Sequence, residues 1–194
     1  GPDNKLIFAV GPLTGVPVSG TGRNSVGAKS PLTGGQGNAE VGGFWGAELK
    51  FAGFDAIIVE GKAKAPVYLW IEDGKIEIRD AHHLWGKTTK DVQDILKNEH
   101  GAGTRVCQIG PAGENMVRFA CIVNDINHAA GRCGLGAVMG SKNLRAIAVR
   151  GHQKVPIANQ VATTSLIRQL IGEIKNNRSA QGMHIGGTAA MTLA

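Results

Sequence analysis

The chain has 194 residues, of which 42% are hydrophobic and 19% are charged. This supplies enough apolar sequence for one sizeable core or two small ones, and no run is typical of a transmembrane helix or a signal peptide, so a soluble globular protein is expected. The net charge of +6 and the sequence pI near 9.4 favour anionic partners. Only 5% of residues are aromatic, which argues against a stacking platform for single-stranded nucleic acid.

In chain order, apolar strands alternate with glycine-rich corners. Strands are predicted over 5–10, 55–61, 67–80 (a hairpin around Asp73-Gly74), 104–109, 116–123 and 145–151. A capping-box pattern from Thr88 to Asp91 predicts a short surface helix that ends at Gly101. Apolar spacing after Pro156 predicts a longer helix over about 157–176, which is expected to pack little against the preceding residues.

The cysteines are Cys107, Cys121 and Cys133, and no CxxC pair occurs. This spacing argues against a disulfide framework, a zinc site or a complete iron–sulfur site within these residues. Reduced thiols in a cytoplasmic protein are expected. The chain opens without Met and ends as a new apolar pattern begins in "GGTAAMTLA", so a fragment of a longer protein is expected.

Two parts of the sequence repeat each other. "GAELKFAGFDAIIVEG" (46–61) matches "GAVMGSKNLRAIAVRG" (136–151) without gaps, and "IFAVGP" (7–12) matches "VCQIGP" (106–111) at a slightly different offset. Each half is predicted to contain a strand, a Gly-Pro turn, further strands, a glycine-rich corner, a short helix and a final strand. Trp45 and Met139 are expected in the core, and Lys50, Lys142 and Arg145 on the surfaces of the short helices.

The second glycine-rich corner, "HAAGRCGLGAVMG" (128–140), suggests a phosphate-binding loop because glycine lets main-chain N–H groups approach a ligand closely. Its spacing fits neither the dinucleotide-binding fingerprint nor the Walker A loop. A nucleophile elbow with triad partners and a histidine pair for zinc are also missing from the sequence.

Several long motifs resemble the N-terminal domain of the aldehyde ferredoxin oxidoreductase family. They are "GPLTGVPVSGTGRNSVGAKSPLTGG", "GGFWGAELKFAGFDAIIVEGKA", "HLWGKTT", "IGPAGEN" and "AAGRCGLGAVMGSKNLRAIAVRG". The resemblance runs from about residue 5 to 155. It implies an α+β fold of duplicated antiparallel β-sheet halves, each with a short helix. It also implies that residues 1–155 are a tungstopterin-binding N-terminal domain, truncated at its start, and that 156–194 begin a helical domain.

The family's activity, carried over by this resemblance, is oxidation of an aldehyde to a carboxylic acid. Electrons pass from a tungsten (or molybdenum) bis-pterin through a 4Fe-4S cluster to ferredoxin. The cluster ligands and the catalytic groups lie in later domains, so no catalytic residue is expected here and the fragment alone should be inactive. Aldehyde and ferredoxin are the implied partners, with homo-oligomers possible and no nucleic acid or membrane.

The family's pterin contacts map onto "GTGRNS" (20–25) and onto the two equivalent glycine-rich corners, "NAEVGGFWGAE" (38–48) and "HAAGRCGLGAV" (128–138). They fall on Arg23, Glu40, Gly42, His128, Ala129, Gly131 and Arg132. In the family a magnesium ion joins the two pterin phosphates, and the main-chain carbonyls of Glu40 and Ala129 match its protein ligands. A planar guanidinium suits phosphate or pterin acceptors.

The chain departs from the family pattern at three positions of these corners. Glu40 and His128 stand where Asn and Arg are usual, and Cys133 replaces a glycine. Glu40 either faces away from the phosphates or helps to ligate magnesium, and Cys133 is expected to be a packing residue. The alternatives are a reductase of an aromatic thioester or carboxylic acid with the same fold, a non-enzymatic phosphate-binding or nucleic-acid-binding module, and a purely structural duplicated sheet.

Overall fold

The computed structural model describes residues 1–187 and 189, so most of the apolar pattern predicted at the C-terminal end lies outside the described residues. The chain forms two compact units. The first contains residues 1–15 and 21–155, and the second contains residues 16–20 and those from Pro156 onward.

Within the described residues, ten strands form two sheets. The strands are Leu6–Val10 (β1), Asn24–Lys29 (β2), Gln36–Val41 (β3), Ala56–Val59 (β4), Val67–Glu72 (β5), Lys75–Asp80 (β6), Arg105–Gln108 (β7), Ile122–Asn124 (β8), His128–Ala130 (β9) and Leu144–Arg150 (β10). The first sheet has the order β3-β2-β1-β4, and the second has the order β6-β5-β10-β7-β8-β9.

The part of the chain that the structure describes also contains six helices. They are Trp45–Phe51 (α1), Thr89–His100 (α2), Pro111–Glu114 (α3), Leu135–Ser141 (α4), Gln160–Asn176 (α5) and Arg178–Gly186 (α6). The predicted capping box of α2 is present, because the Thr88 hydroxyl accepts a hydrogen bond from Asp91 N and donates one to the Asp91 carboxylate.

The predicted duplication is confirmed by strand order and by register. Strands β9-β8-β7-β10 repeat the order β3-β2-β1-β4, and every pair within both sets is antiparallel. Phe8 of β1 lies opposite Ile57 of β4, and the matching residue Cys107 of β7 lies opposite Ile147 of β10. Both copies of the sequence repeat form a short helix followed by a strand.

Outside the duplicated halves, β5 of the inserted β5–β6 hairpin joins β10 in parallel. One expectation of the strand pattern is wrong. The strand predicted over 116–123 begins only at Ile122. Pro111 opens the short helix α3, and Met116 then has a φ of +54°, which is incompatible with a strand.

The core of the first unit lies between the sheets. Trp45 and Met139 are fully buried in it, as predicted, and the Trp45 indole donates a hydrogen bond to the Ile147 carbonyl (3.0 Å). A second apolar cluster fills the space between α2 and the other face of the second sheet. In that cluster the His100 ring stacks on Trp70, with centroids 3.9 Å apart.

Two cations predicted on helix surfaces are buried. Arg145 is 0% exposed, and its Nε lies 2.7 Å from the Glu114 carboxylate, while a second guanidinium nitrogen donates to the Lys87 carbonyl (3.0 Å). Lys142 donates to the Pro2 (3.1 Å) and Gly61 (3.0 Å) carbonyls. Both side chains join distant loops to the sheet, because a buried cation requires oxygen partners.

The second unit contains α5 and α6. Asn159 and Asn177 cap their N-termini through hydrogen bonds from Ala162 N and Ala180 N. Neither helix contains a buried residue among those described.

Candidate functional site

One cavity in the first unit brings the two glycine-rich corners together. Its volume is about 500 Å³, and it is lined by Arg23, Asn38, Ala39, Glu40, Ala129, Gly131 and Arg132. We call Arg23, Glu40 and Gly42 the first cradle and residues 128–132 the second cradle. Strands β3 and β9, which carry Glu40 and residues 128–130, contact each other where the two sheets meet.

Local structure explains how each cradle is presented. Arg23 directly precedes β2, and its carbonyl accepts a hydrogen bond from the Thr14 hydroxyl (3.4 Å), which links it to the Gly-Pro turn after β1. Glu40 lies near the end of β3. In the second cradle His128 and Ala129 form β9, and Arg132 follows it in the loop that leads to α4.

The two predicted magnesium ligands occupy equivalent positions of the duplicated sheets. Glu40 and Ala129 pair with positions of β2 and β8 that pair in turn with matching positions of β1 and β7. The glycines two residues further on, Gly42 and Gly131, correspond as well. The sheets therefore present two similar stretches of backbone to one cavity.

The remaining two predicted residues, Gly42 and His128, lie beside each other. A Cβ placed on Gly42 would lie 3.1 Å from the His128 ring, so a larger residue at this position would require the ring to shift. All seven predicted residues thus converge, although their binding roles remain predictions. Asn38 and Ala39 also line the cavity and were missed by the sequence interpretation, which had no motif to mark them.

The charges at the cavity are mixed. Arg23 and Arg132 are exposed cations, and Glu40 is an exposed carboxylate on the same lining. The two guanidinium groups suit an anionic ligand, whereas Glu40 is unfavourable beside phosphate unless a cation lies between them.

The glycines of the second corner have two different kinds of surroundings. Gly131 is open, with no atom within 4 Å of the position a Cβ would take. Gly134, Gly136 and Gly140 instead let α4 pack directly on the backbone of residues 113–121; a Cβ on Gly134 would lie 1.8 Å from the Arg118 carbonyl oxygen. The phosphate-loop interpretation therefore applies at most to the start of this run.

Cys133 has a backbone conformation that is typical of glycine, the residue that the family pattern has at this position. Its φ is +66°, in the left-handed region that favours glycine. Its carbonyl accepts a hydrogen bond from the Ser30 hydroxyl (2.8 Å), and its Cβ lies against Gly37. These contacts agree with a packing role beside the cavity.

Two neighbouring residues that sequence reasoning missed connect the cradles. Asn124 donates hydrogen bonds to the Gly42 carbonyl (3.0 Å) and to the Asn24 side chain (2.8 Å), and Asp125 accepts one from Phe44 N (2.7 Å). Their only mark in the sequence is a polar pair that stands two residues before "HAAGR".

The residues present fit a pterin cofactor that carries phosphate and bound magnesium. Two arginines face one cavity, open backbone is available at Gly131, and the buried Nδ1 of His128 has no hydrogen-bond partner in the described structure. An unpaired buried polar atom at a site of this kind is typical of a group that acts on a ligand.

Comparison with known proteins identifies the family. The profile of the aldehyde ferredoxin oxidoreductase N-terminal domain matches residues 1–151. The chain belongs to the aldehyde ferredoxin oxidoreductase family. This confirms the resemblance found in the motifs, and the observed α+β fold with two sheets confirms the fold that it implied.

Proteins that are similar to this chain are named for different reactions. The chain is 53% identical over 182 residues to a tungsten-containing aldehyde ferredoxin oxidoreductase of Pyrococcus furiosus, covering 93% of this chain and 30% of the relative. It is 44% identical over 169 residues to the WOR-like subunit of an aliphatic sulfonate oxidoreductase from the same organism, covering 80% of this chain and 27% of that protein.

A solved structure is also similar. The BamBC active-site complex of benzoyl coenzyme A reductase, bound to 1,5-dienoyl-CoA, matches with a TM-score of 0.88 and 42% identity over 92% of this chain and 27% of that chain. The chain thus covers only 27–30% of the length of these relatives. Among its described residues, no helix has the length and hydropathy needed to cross a membrane.

Proposed function

We propose that this chain is the cofactor-binding part of a tungsten (or molybdenum) bis-pterin oxidoreductase. The complete enzyme oxidises an aldehyde to a carboxylic acid and passes the electrons through a 4Fe-4S cluster to ferredoxin. The observation that carries the proposal is that both cradles share one cavity and that Arg23 and Arg132 both line it. The 53% identity to a tungsten-containing aldehyde ferredoxin oxidoreductase supports it.

In this proposal the chain binds and orients the cofactor. The guanidinium groups of Arg23 and Arg132 donate charge-assisted hydrogen bonds to phosphate or pterin oxygens. The carbonyls of Glu40 and Ala129 hold magnesium, and the Glu40 carboxylate faces that cation. When bound, the metal–pterin group supplies two-electron redox chemistry, so these residues need not supply an acid or a base.

A second candidate is a reductase of an aromatic thioester or carboxylic acid. The similarity to the benzoyl coenzyme A reductase complex favours it, because a chain with 42% identity and nearly the same fold is part of that complex. Both candidates need the same cradles. Steady-state assays of the complete natural protein with aldehydes and with aromatic CoA thioesters distinguish them.

The cofactor assignment is tested by Arg23→Ala and Arg132→Ala in the complete protein. A charge-assisted hydrogen bond to an anion contributes about 1.5–3 kcal/mol, so each variant should lose an order of magnitude or more in cofactor affinity. Tungsten and pterin per chain are measured by elemental analysis and by fluorescence of the oxidised pterin. Arg118→Ala is the matched control, since Arg118 is exposed and lines a different cavity.

The outcome separates binding from structural roles. Normal tungsten and pterin content in both Arg23→Ala and Arg132→Ala contradicts the assignment. Equal thermal unfolding of the cofactor-free variants and the wild type is expected, because both side chains are exposed. A lower unfolding temperature of those cofactor-free variants would mean that the arginines support the fold instead.

A further inference from the structure

Two side chains of the β8–β9 turn cross from the second sheet to the first cradle. Asp125 Oδ2 accepts a hydrogen bond from Phe44 N (2.7 Å), the residue that precedes α1. The buried Asn124 amide donates to the Gly42 carbonyl (3.0 Å) and to Asn24 (2.8 Å). We call Asn124 and Asp125 the cross-strut.

The backbone of this turn is held in an uncommon conformation. Asp125 has a φ of +47° and Ile126 has a φ of +61°, and a β-branched residue is a rare occupant of that region. The Asp125 N–H also donates to the Val106 carbonyl (3.1 Å), which ties the turn to β7. A conformation that costs free energy is retained where the surrounding structure requires it, often at a functional site.

The receiving side is shaped to accept the cross-strut. Gly43 has a φ of +90°, and a Cβ placed on it would lie 2.9 Å from Asp125 Oδ2 and 3.3 Å from His128 Nδ1. No larger residue would leave room for both side chains.

Several polar atoms at this junction are buried without a partner among the described residues. They are Asn24 Nδ2, Asn124 Oδ1, Asp125 Oδ1 and His128 Nδ1. If this junction served packing alone, its buried polar atoms would be hydrogen-bonded or replaced by apolar groups, because burying a polar atom without a partner costs free energy. These unpaired atoms lie beside both cradles, so the free energy that they cost is spent next to the candidate site.

We propose that the cross-strut positions the two cradles relative to each other, so that both pterins of one cofactor can reach a single metal. This inference rests on the proposed function. Asp125 acts through Phe44 N and fixes the Gly42–Phe44 segment, while Asn124 holds the Gly42 carbonyl. Neither side chain needs to touch the cofactor.

Asp125→Gly and Asp125→Asn in the complete protein test the inference. Glycine removes the acceptor yet favours the positive φ of this position, so the variant should fold. Asparagine keeps an acceptor oxygen for Phe44 N and also tolerates positive φ. Asp125→Gly is expected to contain about tenfold less tungsten and pterin per chain when tungstate is limiting, and Asp125→Asn to match the wild type.

A spectroscopic readout distinguishes positioning from simple loss of stability. The tungsten that Asp125→Gly retains should show an altered W(V) EPR spectrum, because the geometry of its ligands changes, whereas Asp125→Asn should keep the wild-type spectrum. Asn24→Ala, which removes the acceptor of the Asn124 amide, is an independent second variant. It is expected to lower cofactor content in the same direction.

Each result decides the inference. Wild-type cofactor content and EPR spectra in both Asp125→Gly and Asn24→Ala overturn it, while Arg23→Ala and Arg132→Ala still test the cofactor assignment separately. A loss in Asp125→Asn as large as in Asp125→Gly also overturns it, since the carboxylate charge and not the hydrogen bond would then matter. A wild-type protein without tungsten or pterin refutes the proposed function itself.

Discussion

Replacing Gly140 by alanine should destabilise the first unit even though alanine is the better helix former. Gly140 lies inside α4, and a Cβ there would be 1.9 Å from the Gly113 carbonyl oxygen of α3. Ordinary contact begins near 3.4 Å, so the two backbones would have to separate by about 1.5 Å. Neither side can avoid the contact by changing a rotamer, because both contacting groups are backbone.

The expected magnitude is a difference between two opposing effects. Alanine gains about 1 kcal/mol over glycine in a helix interior. Overpacking typically costs about 1–3 kcal/mol, and a backbone contact belongs at the upper end of that range. We expect a net loss of about 1–2 kcal/mol and a melting temperature lower by roughly 2–8 °C.

The same substitution at Gly172 is the matched control. Gly172 lies inside α5, and no atom is within 4 Å of its Cβ position, so alanine should be neutral or stabilising there. Both variants are compared by circular dichroism melts and urea unfolding of the cofactor-free protein. A Gly140→Ala variant as stable as the wild type would refute the close-packing argument for the glycine-rich run.

Three further predictions concern the same unit. Gly134→Ala should be strongly destabilising because of its 1.8 Å backbone contact and positive φ, whereas Gly131→Ala should change the unfolding free energy by less than about 0.5 kcal/mol but lower tungsten content. Glu114→Gln should cost about 3–5 kcal/mol in urea unfolding because it leaves the charge of the buried Arg145 without its carboxylate partner, and the added change Arg145→Met should recover part of that loss. Burial lowers the pKa of His100, with a smaller contribution from a nearby arginine, so the stabilisation from its neutral form is full above pH about 6.5 and is lost as the pH falls. In melts at pH 7 and pH 5, His100→Phe should therefore show a smaller acid-induced decrease than the wild type.

The duplication could be predicted because local sequence patterns specify the elements that are repeated. Apolar strands, Gly-Pro turns and short helices recur in the same order, and each is specified by neighbouring residues. The register of Glu40 and Ala129 then follows from the sheet, since one strand pair fixes the next. The inserted β5–β6 hairpin was predicted as a hairpin, but its parallel pairing with β10 depends on contacts between residues about 75 positions apart, which no local pattern contains.

The errors share a physical cause, which is contact between residues that are far apart in the sequence. Residues 116–121 are apolar enough to suggest a strand, yet they lie against the glycines of α4 and form none. Arg145 and Lys142 have the composition of surface cations, but carboxylate or carbonyl oxygens from distant loops make their burial possible. The cross-strut was missed for the same reason, because Asp125 and Phe44 are far apart in sequence.

The different reactions for which the relatives are named agree with the chemistry of the cavity. Proteins named for aldehydes, for aliphatic sulfonates and for benzoyl coenzyme A are all 42–53% identical to this chain. Their substrates share little, so a common domain is expected to bind what the reactions share. The lining agrees with the cofactor role that we propose, because it contains the two arginines Arg23 and Arg132 and residues of the equivalent strands β3 and β9. Replacement of Glu40 or His128 should therefore change cofactor retention more than the choice of substrate, and measuring both quantities in the same variants separates the two effects.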